Sequence, residues 1–109
     1  MDTGAINLSD IQEAVAKGRV TWRLHAIERM FERNISRQDV SMAVQYGEII
    51  ESYPSSYLYP ACLLFGKCTQ GLLHVVIAWD LSKEWVYIIT AYMPDEDHFT
   101  DDFRIRKRG

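Results

Sequence analysis

The chain has 109 residues, one domain's worth, of which 48% are apolar and 25% charged. Those proportions exclude a disordered chain, a collagen-like fibre and a disulfide-dense miniprotein, and no apolar run approaches the roughly 20 residues that span a bilayer. Twelve Lys and Arg against fifteen Asp and Glu leave a net charge of −3, which weighs against a protein that holds nucleic acid mainly by neutralising phosphates.

Leu8-Ser9-Asp10-Ile11-Gln12 reads as a helix start, with Ser9 as N-cap and Gln12 at the N3 position of a capping box. Ile11, Ala14 and Val15 follow at helical spacing and Gly18 closes the segment. Val20-Thr21-Trp22 is a short β-prone link. A second helix is expected from about Leu24 to Arg33, its buried stripe made of Leu24, Ile27, Met30 and Phe31. Asn34 tolerates a left-handed backbone and can stop it. Ser36 with Asp39 caps a third helix, whose inner face is Val40, Ala43 and Val44 and whose end is Gly47.

Beyond Gly47 the apolar period falls from about 3.6 to about 2. Strands are expected over Glu48–Tyr53, Ala61–Lys67, Leu72–Asp80 and Glu84–Met93, with an irregular Tyr- and Pro-rich loop at Pro54–Pro60. Connections this short demand antiparallel neighbours. The expected fold is therefore α+β, with about three N-terminal helices packed on a four-stranded antiparallel sheet. With Leu81 opposite Trp85, the helix-facing side would carry Leu73, Val75, Ile77, Trp79, Tyr87, Ile89, Ala91 and Met93, and His74 would lie opposite Tyr92. The domain should occupy residues 1–94, and the acids and bases of 95–109 read as a solvated charged tail.

His25, Arg29 and Arg33 recur every four residues and line one side of the second helix. Guanidinium groups bind phosphate oxygens bidentately and imidazole exchanges a proton near neutral pH, so this stripe suits phosphate chemistry. Glu28 and Glu32 on the same helix fit an ordinary solvated charged face equally well. His74 interrupts an otherwise apolar strand, where an imidazole must be hydrogen-bonded or put to use. Converging on one pocket, His25 and His74 would serve as acid and base in RNA phosphodiester cleavage, with Arg29, Arg33 and Lys67 supplying positive charge. Tyr53, Tyr57, Tyr59 and Tyr92 add aromatic surface that can stack on bases or anchor a protein. Cys62 and Cys68, six residues apart, read as reduced thiols rather than metal ligands. No metal or other cofactor is implied, and the N-terminus lacks a signal-like pattern, so a cytoplasmic protein is expected.

The segments His25-Ala26-Ile27-Glu28-Arg29-Met30, Arg33-Asn34-Ile35-Ser36, Gly47-Glu48-Ile49-Ile50-Glu51, Tyr53-Pro54 and Leu73-His74-Val75-Val76 together resemble a small bacterial domain-of-unknown-function family marked by an H-A-x-x-R-M helix. The similarity runs from about Leu24 to Pro94. That family in turn resembles the RelE/BrnT-like toxin superfamily. The resemblance implies a toxin-like fold and a metal-independent endoribonuclease. It implies as partners RNA and a cognate antitoxin of helix-turn-helix or zinc-ribbon type. By motif position it carries over His25, Arg29, Arg33 and His74. The acidic pI of about 5.5 departs from the basic character of ribosome-binding toxins. The competing expectation is a non-catalytic protein-interaction module, for which the two histidines would lie far apart or in the interior. A homodimer paired through a sheet edge is compatible with both.

Overall fold

Among the described residues three helices and five strands follow in the order α1 (Leu8–Ala16), β1 (Val20–Trp22), α2 (Leu24–Glu32), α3 (Arg37–Gln45), β2 (Glu48–Tyr53), β3 (Ala61–Cys68), β4 (Gly71–Asp80) and β5 (Trp85–Tyr92). This computed structural model describes residues 6–94. The charged segment 95–109, expected to be a solvated tail, lies outside the described residues.

Local chemistry sets the helix ends. The N-cap of α1 is Asn7 rather than the expected Ser9, its side chain accepting the Asp10 N–H at 3.1 Å. Asn34 adopts the left-handed conformation (φ 57°) that ends α2. Ser36 and Asp39 form the expected capping box at the start of α3, each side chain accepting the other's backbone N–H at 3.0 Å. Asp39 is buried and accepts further bonds from Thr69 Oγ1 (2.9 Å) and Gln70 Nε2 (3.0 Å), fastening α3 to the β3–β4 turn. The Ser36 backbone N–H foremost holds the Asp39 carboxyl below its usual range. Gln12 and Gln45 join α1 to α3 by donating side-chain amides to each other's main-chain carbonyls.

The sheet has five strands in the order β1-β5-β4-β3-β2, not four. The additional strand is Val20–Trp22, which pairs in parallel with β5 through Val20↔Val86 and Trp22↔Ile88. Parallel pairing is open to it because the whole α2-to-β4 segment serves as the crossover. All three helices cover one face. Ile11, Ala26, Met30, Val40 and Val44 pack there on Leu64, Leu73, Val75, Ile77, Trp79, Val86, Ile88 and Ala91. Gly66 lets α3 approach closely, since a Cβ there would collide with the Ala43 carbonyl.

The register of the last hairpin departs from expectation halfway along. His74↔Tyr92 and Val75↔Ala91 pair as anticipated, but a shift between Val76 and Ile77 sets Ile77 opposite Ile88 and Asp80 opposite Trp85. The irregularity inverts the alternation of β5. Val86 and Ile88 therefore face the helices, while Tyr87 turns to the other side. The buried stripe of α2 also differs: Ala26 and Met30 point inward, whereas Leu24 and Phe31 are 68% and 84% exposed. A helix of nine residues lying over β5 offers the core only one narrow face.

Candidate functional site

Because directly opposed residues in a sheet share a face, the pairings define what the helix-free side carries. One row across it is Glu48, Phe65, His74 and Tyr92, and another is Tyr53, Ala61, Ala78 and Tyr87. His74 is 0% exposed, with its ring edge-on to Phe65 (5.6 Å between centroids) and to Tyr92 (5.4 Å). It is a packed imidazole within a row of aromatic rings.

His25 stands elsewhere. Its side chain on α2 is 88% exposed, with Nδ1 3.4 Å from Glu28 Oε1. Since α2 packs on the helix-covered face and His74 occupies the opposite face, the sheet itself separates the two imidazoles. The structure does not bring them together. Arg29 stays with the helix surface, pairing with Glu32 at 3.2 Å. Arg33 donates Nη1 to the Ala91 carbonyl at 2.8 Å, tying the end of α2 to β5 one residue before Tyr92. Lys67 is exposed near the far end of β3, where it borders a cleft of about 470 Å³ with Tyr46, Phe65 and Leu72. Of the six candidate residues, His74 and Tyr92 meet through their rings, and Arg33 meets Arg29 through the helix backbone, its N–H donating to the Arg29 carbonyl at 3.0 Å.

At the other end of the helix-free face the β2–β3 loop folds over the sheet and leaves a cavity of about 330 Å³. Its floor includes Ala61, Val76 and Ala78, and its walls and rim include Tyr53, Tyr57 and Arg23. Small floor residues make this a recess, because larger side chains would fill it. Arg23 sits where β1 passes into α2, and its guanidinium carbon lies 5.4 Å from the centroid of the Tyr87 ring. Tyr87 in turn stacks on Tyr59, with centroids 5.3 Å apart and planes 5° from parallel. The result is a short pile of guanidinium and two phenol rings at the cavity edge.

The charges around the pile are ordered as well. Hydrogen bonding with Tyr87 foremost, and the nearby Asp80 carboxylate, push the Tyr59 hydroxyl above its usual pKa, so it keeps its proton. Asp80 is itself held below the usual carboxylate range, above all by the Ser82 hydroxyl at 2.8 Å. Cys62 lies on the helix-facing side, where burial pushes its thiol up to about 12 and leaves it chemically quiet. Among the described residues no group of three or more His, Cys, Asp and Glu is arranged to hold a metal ion. No described helix is long and apolar enough to cross a membrane.

The sequence marked Tyr53, Tyr57 and Tyr59 as aromatic surface, but not their union with Arg23 and Tyr87. Arg23 lay just outside the histidine helix, and Tyr87 was expected on the helix side. The visible signal was the density of tyrosines between two prolines.

A protein-family model described as a domain of unknown function (DUF4258) matches residues 22–93. Comparison with curated proteins and with solved structures gave no match.

Proposed function

The chain belongs to the DUF4258 family, whose function is unknown, and from that premise we propose that it is a metal-independent endoribonuclease of toxin type that acts at the cavity on the helix-free face. The observation that carries this reading is the pile of Arg23, Tyr87 and Tyr59 at the cavity edge. Cleavage of RNA by its own 2′-hydroxyl forms the P–O2′ bond and breaks the P–O5′ bond, with negative charge building on the phosphoryl oxygens. Arg23 is always charged and presents a planar fork to those oxygens. Its seat on the Tyr87 ring limits the reorganisation needed when that charge develops. Tyr59, which holds its proton, donates it to the departing 5′-oxygen, and the proton of the 2′-hydroxyl passes to solvent. The products are a 2′,3′-cyclic phosphate and a 5′-hydroxyl.

His25 has no part in this scheme, and His74 acts by packing the adjoining row. The cognate partner, in this reading, is an antitoxin encoded beside the protein, of helix-turn-helix or zinc-ribbon type. Incubating the purified protein with unstructured RNA in a chelating buffer tests the proposal. Fragments ending in cyclic phosphate are expected, slowed about 100-fold in Tyr59→Phe. Intact RNA after prolonged incubation overturns it.

A second reading, a non-catalytic protein-interaction module, is favoured by Leu24 and Phe31, two large apolar side chains exposed seven residues apart on α2. Intact RNA in the same assay, together with a bound protein released by Phe31→Asp, would decide for it.

A further inference from the structure

The cavity beside Arg23 has features that phosphate chemistry alone does not require. Ala61, Val76 and Ala78, three small or branched side chains from adjacent strands, give it an apolar lining. Tyr53 rises from the β2 side and Tyr57 overhangs from the loop, the latter 92% exposed. At about 330 Å³ it lies at the small end of ligand-sized pockets, roughly 300–1,000 Å³. The lining is largely aromatic and apolar, and Arg23 is the one basic residue among those that border it.

Resting on the ribonuclease reading of the same face, we propose that this cavity is a base subsite: it takes one unpaired nucleobase of an RNA strand, stacked against Tyr57 and Tyr53, with the adjoining phosphate on the Arg23 guanidinium. Several physical consequences follow from this arrangement. Stacking on phenol rings tolerates every base, so binding discriminates weakly among the four. A base within a duplex cannot enter, because its faces are already stacked on its neighbours, and the substrate is accordingly single-stranded. One guanidinium fork holds one phosphate, so affinity comes from ring and charge together and needs no basic surface. A chain of net charge −3 can therefore engage RNA at this point, where long-range attraction to phosphates would fail it.

The test follows the tyrosine ring protons by NMR while uridine 3′-monophosphate, uridine and ribose 5-phosphate are each added to millimolar concentration. Uridine 3′-monophosphate is expected to shift the rings of Tyr53 and Tyr57 saturably. Uridine should bind more weakly at the same rings, and ribose phosphate should leave them unmoved. Tyr57→Ala, at an exposed loop position, should weaken the nucleotide about 10-fold. Arg23→Gln should weaken the nucleotide and leave uridine unchanged. Unmoved tyrosine rings, or ribose phosphate binding as tightly as the nucleotide, overturn the subsite. Saturable shifts without any RNA cleavage keep the subsite and remove the nuclease, while cleavage with silent rings does the reverse.

Discussion

The two faces of the sheet are built from the same alternating strands, yet they meet different surroundings. On the helix-covered face, Leu73, Val75, Ile77 and Trp79 of β4 enter one continuous apolar cluster closed by α1, α2 and α3. On the other face the same strand presents His74, Val76, Ala78 and Asp80, interleaved with tyrosines from β2, β5 and the loop. The first face has given up all its freedom to packing. The second keeps a recess, a guanidinium and phenol hydroxyls, which are groups that can act on something brought from outside. The chemistry proposed for this protein is accordingly placed on the side that the helices leave alone.

Substitutions on adjacent residues of β4 probe that contrast most strongly. Ile77→Ala removes a fully buried side chain from the helix-covered cluster and should cost about 4 kcal/mol, read as a lowered urea midpoint. Val76→Ala, one residue away on the half-buried face, should cost only about 1 kcal/mol. Equal losses would mean that the faces are packed alike and would erase the distinction.

An intermediate effect is expected at Asp39, which belongs to the helix layer but is polar. Asp39→Ala deletes the capping box and the bonds from Thr69 and Gln70, a loss of about 2 kcal/mol. The native pKa of this carboxyl is depressed, so its contribution is fully present above the usual carboxylate range and fades as pH falls through the native value. The wild-type protein should therefore lose stability below about pH 4, and the variant should lose less over the same range. Parallel stability–pH curves would show that the anchor is not ionic.

The smallest effect belongs to the exposed histidine. His25→Ala should change stability by no more than about 0.5 kcal/mol, since its only described ion-pair partner is the exposed Glu28 on the same helix. A large loss would show that the α2 surface carries more of the fold than its exposure suggests.

How much of this was legible in the sequence depended on range. Asn34 and the Ser36–Asp39 box were readable because their signals lie within a few residues and act through the local backbone. His74 does lie opposite Tyr92 as expected, but only because the irregularity between Val76 and Ile77 offsets the one-residue difference at the turn, where Asp80 rather than Leu81 pairs with Trp85. Val20–Trp22 was not recognised as a strand, since three residues carry no periodicity and their partner lies more than sixty residues away. Tyr87 was expected on the wrong face because a single irregularity in β4–β5 pairing inverts everything beyond it, and no residue type announces it. Arg23, Tyr59 and Tyr87 come from the β1–α2 junction, the loop and β5, so their pile exists only once the chain has folded. Of the α2 stripe, His25 and Arg29 pair with Glu28 and Glu32 on the exposed helix surface, whereas Arg33 caps the helix and reaches the Ala91 carbonyl, a contact that helical spacing alone does not announce.

The most direct measurement compares single-stranded RNA cleavage by Arg23→Ala and by His25→Ala, each first shown to have the wild-type circular dichroism spectrum and urea midpoint. The account predicts a loss of about 100-fold for Arg23→Ala and an unchanged rate for His25→Ala. Wild-type cleavage by Arg23→Ala alongside an inactive His25→Ala would contradict it and move the chemistry to the helix-covered side.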